Sequence, residues 1–187
     1  MVDLTDLGQT ERLWLRAPSS DDIPSILALW QDAEVTRYIG GPRESRLVAD
    51  HFQHYVADPL RMATQERDWW WSLIELGANR FLGLGSLSEK DVDGQLDIEL
   101  GYFLLPAFWQ KGYAGEAARR VIQFGFSQLG QSSLIAIIDP HNEASLAVAR
   151  RLGMRYERAA LRSDGVTRHV YRLWAPGAAC PTAPSEG

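Results

Sequence analysis

Apolar and polar residues alternate in RLWLRA, Arg12 to Ala17, placing Leu13 and Leu15 on one face as in a half-buried strand. The period then changes. Ser20 precedes DDIPSILALW, where Ile23, Leu27 and Trp30 recur at helical spacing behind acids and an early proline, which marks a capped helix start. A second amphipathic helix covers Glu44 to Val56. Trp69 to Leu76 and Arg80 to Ser88 read as two strands joined through Gly77-Ala78-Asn79. The turn Asp91-Val92-Asp93-Gly94 leads into a third strand, LDIELGYFLL. After a glycine-bearing loop comes a helix from near Gly112 to Leu129, then an apolar strand SSLIAIID and a short helix from Asn142 to Leu152. The strands MRYERAAL and VTRHVYRLW flank a turn at Ser163-Asp164-Gly165. The order β-αα-βββ-α-β-α-ββ predicts an α/β fold, a mixed sheet with helices on its faces, in one domain over residues 1–175. Residues 176–187, rich in Pro, Ala and Gly, are expected to be a disordered tail, and no internal repeat is visible.

Composition narrows the class of function. At 187 residues the chain is long enough to bury one full core without staples. A net charge of −5 argues against a nucleic-acid surface, which calls for a basic stripe, and suits an amine-bearing partner. The single cysteine, Cys180, excludes a disulfide framework and a thiolate metal cluster. No apolar run reaches membrane-span length and the N-terminus lacks the layout of a signal peptide, so a cytoplasmic protein without membrane contact is expected.

Several features read as structural. Gly83 and Gly85 open a dinucleotide fingerprint, but neither a third glycine nor a helix follows, so they ease a strand. His51 and His54 have helical metal-ligand spacing with no third ligand in view, and no metal is expected. Trp69 and Trp71 share one face of a strand and Trp70 takes the other. Core packing accounts for them first, and a wall of an apolar substrate pocket is the alternative.

FWQKGYAGEA, Phe108 to Ala117, has a more telling context. A strand ends at Pro106, a loop follows, and a helix begins near Gly112 with small residues in its first turns. Glycines let the backbone approach a ligand, and the first turn of a helix offers unsatisfied N–H donors and a partial positive charge. Together they suit a pyrophosphate, to which Lys111 adds one charge. Alone, the pattern is equally a plain strand-to-helix turn. It is no Walker loop, because the GxxxxGK sequence and its following Ser or Thr are absent.

QKGYAG, Gln110 to Gly115, resembles the Q/R-x-x-G-x-G/A signature of the GCN5-related N-acetyltransferase (GNAT) family. The flanking IELGYFLLPAFWQKGYAGEA and the later DPHNEASLAVARRLGMR resemble that family's ribosomal-protein N-terminal acetyltransferase branch, RimJ/RimL-like. The resemblance spans about Leu13 to Trp174 and implies a single-domain fold with a central, mostly antiparallel sheet. It implies acetyl-CoA as co-substrate. Backbone groups of Phe103, Leu104 and Leu105 would hold the pantetheine, and Gln110, Lys111, Gly112, Tyr113, Ala114 and Gly115 the pyrophosphate. Asn142 would bond the pantetheine arm and Ser145 would lie near the sulfur. Two departures stand out: Met154 replaces the usual aromatic after Leu152-Gly153, and Ala149 occupies the position of the wider family's acidic tyrosine. Proton delivery to the leaving thiolate then falls to Ser145, to water, or to nothing.

The implied reaction is direct attack of a primary amine on the thioester. A peptide N-terminus with a pKa near 8 loses about 1.4 kcal/mol in deprotonation at pH 7, and an alkylamine near 10.4 about 4.6 kcal/mol. A base therefore matters more for the second. Glu99, two residues before Gly101, is the candidate base, with Asp97 on the same strand face in reserve and solvated acids as the bland alternative. Positioning and backbone polarisation would supply most of the rate, no acyl-enzyme is required, and Cys180 is a poor nucleophile candidate. The acceptor is expected to be a peptide N-terminal α-amine or a small-molecule amine, shaped by Gln31 to Arg67 and the hairpin near Ser163 to Thr167. A non-catalytic acyl-CoA-binding module, or an aminoglycoside or polyamine acetyltransferase, is the alternative. Monomer and homodimer both remain open.

Overall fold

The alternation that starts at Leu13 does build a strand, but its partner is one that the pattern hides. In the computed structural model, which describes residues 4–162 and 164–178, β1 (Asp6–Gln9) pairs antiparallel with β2 (Leu13–Arg16). β1 escaped the sequence reading because Leu7 is its one buried residue, among polar neighbours and Gly8. The following helix α1 (Ile23–Gln31) is entered through a 3-10 turn, Ser20–Asp22. Its cap is one residue earlier than predicted: Ser19, with Asp22 accepting from the Ser19 N–H at 2.9 Å, rather than Ser20.

Asp22 also reaches well beyond that turn. It takes two bonds from Arg16, at 2.6 and 3.0 Å, and one from the Ser72 hydroxyl at 2.9 Å. Burial alone would raise this carboxyl; the bonds from Arg16, Ser19 and Ser72 outweigh it and hold the group below the usual range. A depressed carboxyl contributes stability that is present above its unfolded pKa and lost as pH falls through the folded one. Asp22→Ala leaves the partly exposed Arg16 guanidinium and the buried Ser72 hydroxyl without their carboxylate, and it should destabilise the fold by about 1.5–3 kcal/mol. Denaturant unfolding at neutral pH checks this, and the gap to wild type should close as the solution is acidified.

Two short helices, α2 (Ala33–Thr36) and α4 (Pro59–Thr64), bracket α3 (Ser45–Ala57). Then come β3 (Asp68–Glu75), β4 (Arg80–Val92) and β5 (Gln95–Leu104) in an antiparallel meander. β4 runs four residues past the predicted end at Ser88, and the hairpin is made by Asp93-Gly94 alone. Both have positive φ, 58° and 82°, which matches the right-handed twist of the strands they join. A 3-10 turn, Pro106–Phe108, precedes α5 (Tyr113–Ser127). β6 (Ser133–Ile138), α6 (Glu143–Arg151), β7 (Arg155–Leu161) and β8 (Thr167–Trp174) complete the chain. The residues expected to form a tail include 179–187, which lie outside the described residues together with Cys180 and Ser163; Pro176 and Gly177 form a turn closed by the Ala178 N–H on the Ala175 carbonyl.

The eight strands form one sheet in the order β1-β2-β3-β4-β5-β6-β8-β7. Every neighbouring pair is antiparallel except β5 and β6, which are parallel and meet at one register pair, Glu99 with Ile135. β5 runs on to Leu104 without a partner on that side, so the sheet opens into a splay past Glu99. Helices α5 and α6 cover one face, where Trp69, Trp71, Leu87 and Leu100 pack with Val121, Phe124 and Leu146. Helices α1 and α3 cover part of the other, where Ile26, Leu29 and Phe52 pack against Leu84. The alternation read from the three tryptophans therefore holds. Trp71 stacks edge-on against Phe124, whereas Trp70 joins Trp30, Phe52 and Phe103 on the opposite face. Gly83 has the structural role expected of it, because a Cβ there would lie 1.9 Å from the Phe103 carbonyl oxygen on β5.

The closed end of the splay is tied by charge. Arg172, 5% exposed, donates to both oxygens of Asp97 at 2.6 and 2.9 Å, to Ser133 Oγ at 2.9 Å, and to Glu157. One side chain of β8 thereby holds β5, β6 and β7 together just below the pair Glu99–Ile135. Asp97, the reserve base by strand parity, is committed to this bidentate pair.

Candidate functional site

Past the pair with Ile135, the register decides which groups of β5 face the opening. The Leu105 N–H donates to the Leu82 carbonyl at 3.0 Å, so by antiparallel alternation the backbone groups of Phe103 and Leu105 are directed at β4. Tyr102 and Leu104 face the splay instead, and the Leu104 carbonyl accepts from the Trp109 indole at 2.7 Å. Of the three residues expected to present backbone groups to a pantetheine, Leu104 alone lies on the open side, and Tyr102 joins it. Parity alone does not reveal this, because it fixes side-chain faces, not hydrogen-bond directions.

Glu99 stands at the vertex. Ile137, two residues beyond Ile135, presents its N–H on the side β5 has left, where it favours the ionised form of the Glu99 carboxyl. Burial pushes the Glu99 carboxyl above the ordinary range, against the opposing influence of Lys90, the Ile137 N–H, Arg162 and Arg168. A half-buried carboxylate held at a strand opening, with its pKa moved toward neutrality, has the properties of a general base.

The glycine loop lies beyond the far end of β5. Gln110 and Gly112 both have left-handed backbone, φ 60° and 83°, and Gly112 is the N-cap of α5. The first helical bond joins the Glu116 N–H to the Gly112 carbonyl. The N–H groups of residues 110–115 donate to nothing among the described residues, a row of donors at a helix N-terminus. Lys111 turns back, with Nζ on the Ala107 carbonyl at 2.9 Å, and so braces the loop.

A clamp that the sequence did not reveal fixes this loop from the far side of the sheet. Glu116, in the first turn of α5, accepts from Thr10 Oγ1 at 2.6 Å and from the Arg12 N–H and Nε at 2.9 and 2.7 Å. Burial raises the Glu116 carboxyl, and these bonds from Thr10 and Arg12 more than reverse the effect. Arg12 also donates to the Lys111 carbonyl at 2.9 Å and covers the Tyr113 ring at 4.5 Å, while the Tyr113 hydroxyl donates to Glu75 at 2.7 Å. Only the hidden β1–β2 hairpin brings these groups together, so no local signal announced them.

On the α5–α6 side of the splay, Asn142 caps α6, its side-chain oxygen accepting the Ser145 N–H at 3.1 Å. Its carboxamide NH2 is left to donate. The Ser145 hydroxyl has no partner among the described residues, and the Ser145 carbonyl accepts from the Tyr102 hydroxyl at 3.2 Å. Burial, partly offset by the bond to Ser145, raises that phenol to about 12. Ala149 is fully buried, on the face of α6 that packs into the core. Met154, in place of the usual aromatic, is likewise buried. His51 faces Asp68 at 3.4 Å and the ring of Trp70, while His54 is exposed.

Known proteins with these features are recognisable. An acetyltransferase (GNAT) domain matches residues 12–155. A Schizosaccharomyces pombe protein described as an uncharacterized N-acetyltransferase is 31% identical over 180 residues, covering 88% of this chain and 93% of its own. The crystal structure of an acetyltransferase from Agrobacterium tumefaciens superposes with a TM-score of 0.77 at 25% identity, over 94% of this chain and 97% of that one. RimL, a ribosomal L7/L12 alpha-N-protein acetyltransferase solved in complex with coenzyme A, shares the fold with a TM-score of 0.73 at 17% identity, over 90% and 97% of the two chains. The splayed sheet, the glycine-capped helix and these matches lead to one assignment: the chain belongs to the GNAT acetyltransferase family and is an acetyl-CoA-dependent N-acetyltransferase.

Proposed function

We propose that the protein acetylates a primary amine, a peptide N-terminus or a small-molecule amine, by direct attack within the β5–β6 splay, with Glu99 as the base. The observation that carries this reading is the position of Glu99, at the vertex of the splay, on the face opposite α5 and α6. The residues fit coenzyme A. The free N–H groups of 110–115 suit a pyrophosphate, the open edge at Tyr102 and Leu104 suits an amide-bearing arm, and the Asn142 carboxamide adds a donor. Bound there, acetyl-CoA supplies an activated acyl group, and the protein's part is to orient it and manage protons.

Glu99 takes the proton from the arriving ammonium. Ser145, on the other side of the splay, donates to the departing sulfur as the C–S bond breaks and regains through water the second proton that the new amide nitrogen sheds, with water alone as its substitute. The two groups lie on opposite faces of the sheet, so the acceptor enters from one and the thiol leaves from the other. Ser145→Ala should lower kcat by less than the roughly 10²-fold that a full general acid contributes, because water can enter the space left by the hydroxyl. Unchanged turnover in that variant would leave water as the sole acid. The reading as a whole is tested by following thiol release from acetyl-CoA with N-terminal peptides, alkylamines, polyamines and aminoglycosides. Tight coenzyme A binding with no turnover of any amine would overturn it.

A further inference from the structure

On the acceptor face, three residues line up across neighbouring strands: Asp68 on β3, Ser88 on β4 and Glu99 on β5. They form the floor of a path about 10 Å long from the splay vertex toward α3 and α4. Over its outer part lies a cleft of about 560 Å³, with Ser88, Trp70, His51, Met62, Asp68 and Lys90 among its lining. That is the size of a small-molecule site.

The charges in this cleft are not all alike. Arg61 is paired with Glu66 at 3.1 Å and Arg67 with Glu89, so four of its charges compensate one another. Asp68 accepts from the Trp70 indole at 2.8 Å and faces His51. Burial pushes Asp68 up and His51 down, which displaces each toward its neutral form. Lys90 differs from all of these, having neither an ion pair nor a hydrogen bond among the described residues. It lies two positions beyond Ser88 on the same face, about 6.5 Å further along β4. Asp97, directly opposite it on β5, is already committed to Arg172. The positive field of Lys90 nevertheless reaches Glu99, Asp68 and His51.

Building on the acetyltransferase reading above, we propose that this cleft is the acceptor site and that Lys90 selects its occupant: a primary amine that carries a carboxylate several bonds from the nitrogen, in preference to a polycation. The nitrogen lies at Glu99 and the carboxylate at Lys90. The stagger between them exceeds the reach of an α-amino acid, and fits an ω-amino acid or the amino end of a short acidic peptide. A second ammonium, as in a polyamine, would meet a fixed cation at the same point.

The test compares kcat/KM for γ-aminobutyrate, n-butylamine and spermidine in the wild type and in Lys90→Met, Lys90→Arg and Lys90→Glu. Removing Lys90 also alters the ionisation of Glu99, but this affects all three amines alike, so their ratios isolate the contact with Lys90. The wild type should favour γ-aminobutyrate over n-butylamine by about tenfold or more, the range of a charged hydrogen bond. Lys90→Met should abolish that preference, Lys90→Arg should keep it, and Lys90→Glu should shift it to spermidine. An unchanged ratio in Lys90→Met, or a wild type that prefers spermidine, overturns the proposal. If the wild type turns over none of these amines and no N-terminal peptide either, the catalytic reading fails first. Titration of γ-aminobutyrate into the protein loaded with coenzyme A then decides this one separately, since weaker binding in Lys90→Met supports it and equal binding overturns it.

Discussion

Gly115→Asp should abolish coenzyme A binding while leaving the fold intact, raising Kd by at least about 100-fold in calorimetry. Gly115 lies in the first turn of α5, beside N–H groups that have no acceptor, and a pyrophosphate bound there would meet the new carboxylate within a few ångströms. Like charges about 4 Å apart near a protein surface repel by roughly 4 kcal/mol. The same carboxylate is well tolerated by the apoprotein. A Cβ at Gly115 has the Arg119 guanidinium at 3.8 Å as its nearest neighbour, and an acid in the first turn complements the helix dipole. Gly112 is the worse probe, because its φ of +83° makes any side chain strained and mixes a folding defect with a binding one. Wild-type affinity in a folded Gly115→Asp protein would place the anion site elsewhere.

The second large effect is expected at Glu99. Glu99→Gln should lower kcat for alkylamines by about 10²-fold or more, the usual worth of a positioned base. Peptide N-termini, already partly deprotonated at pH 7, should lose less. The sign of the pH dependence follows from the buried position. Glu99 accepts a proton only when ionised, and burial raises its pKa, so the acidic limb of the wild-type kcat profile lies above the usual carboxylate range. Activity falls as pH drops through that limb, and the limb should vanish in the glutamine variant. A profile and rate identical to wild type would remove Glu99 from the mechanism.

What the sequence disclosed and what it concealed divide along physical lines. Local signals carried well. The glycine loop, the helix it caps and the meander were legible, because turn residues and periodicity act within about ten positions. β1 was not, since four residues with one buried leucine make no pattern. Strand parity placed Asp97 and Glu99 on one face, yet it could not separate their roles. That separation comes from Arg172, 75 residues away, which binds Asp97 and leaves Glu99 at the opening. The clamp of Arg12 on Glu116 and the row Asp68–Ser88–Glu99 are products of sheet order in the same way. Sheet order also directs the backbone groups of Phe103 and Leu105 at β4 and leaves those of Tyr102 and Leu104 on the open side.

The cofactor site proposed above is the β5–β6 splay, with the pyrophosphate on the capped end of α5. A crystal structure of the protein with coenzyme A tests it most directly. Phosphate oxygens are expected within hydrogen-bond distance of backbone nitrogens among residues 110–115, and the pantetheine along the open edge at Tyr102 and Leu104, its sulfur between Glu99 and Ser145. Coenzyme A bound on any other surface, with that splay closed or filled by protein, would contradict it.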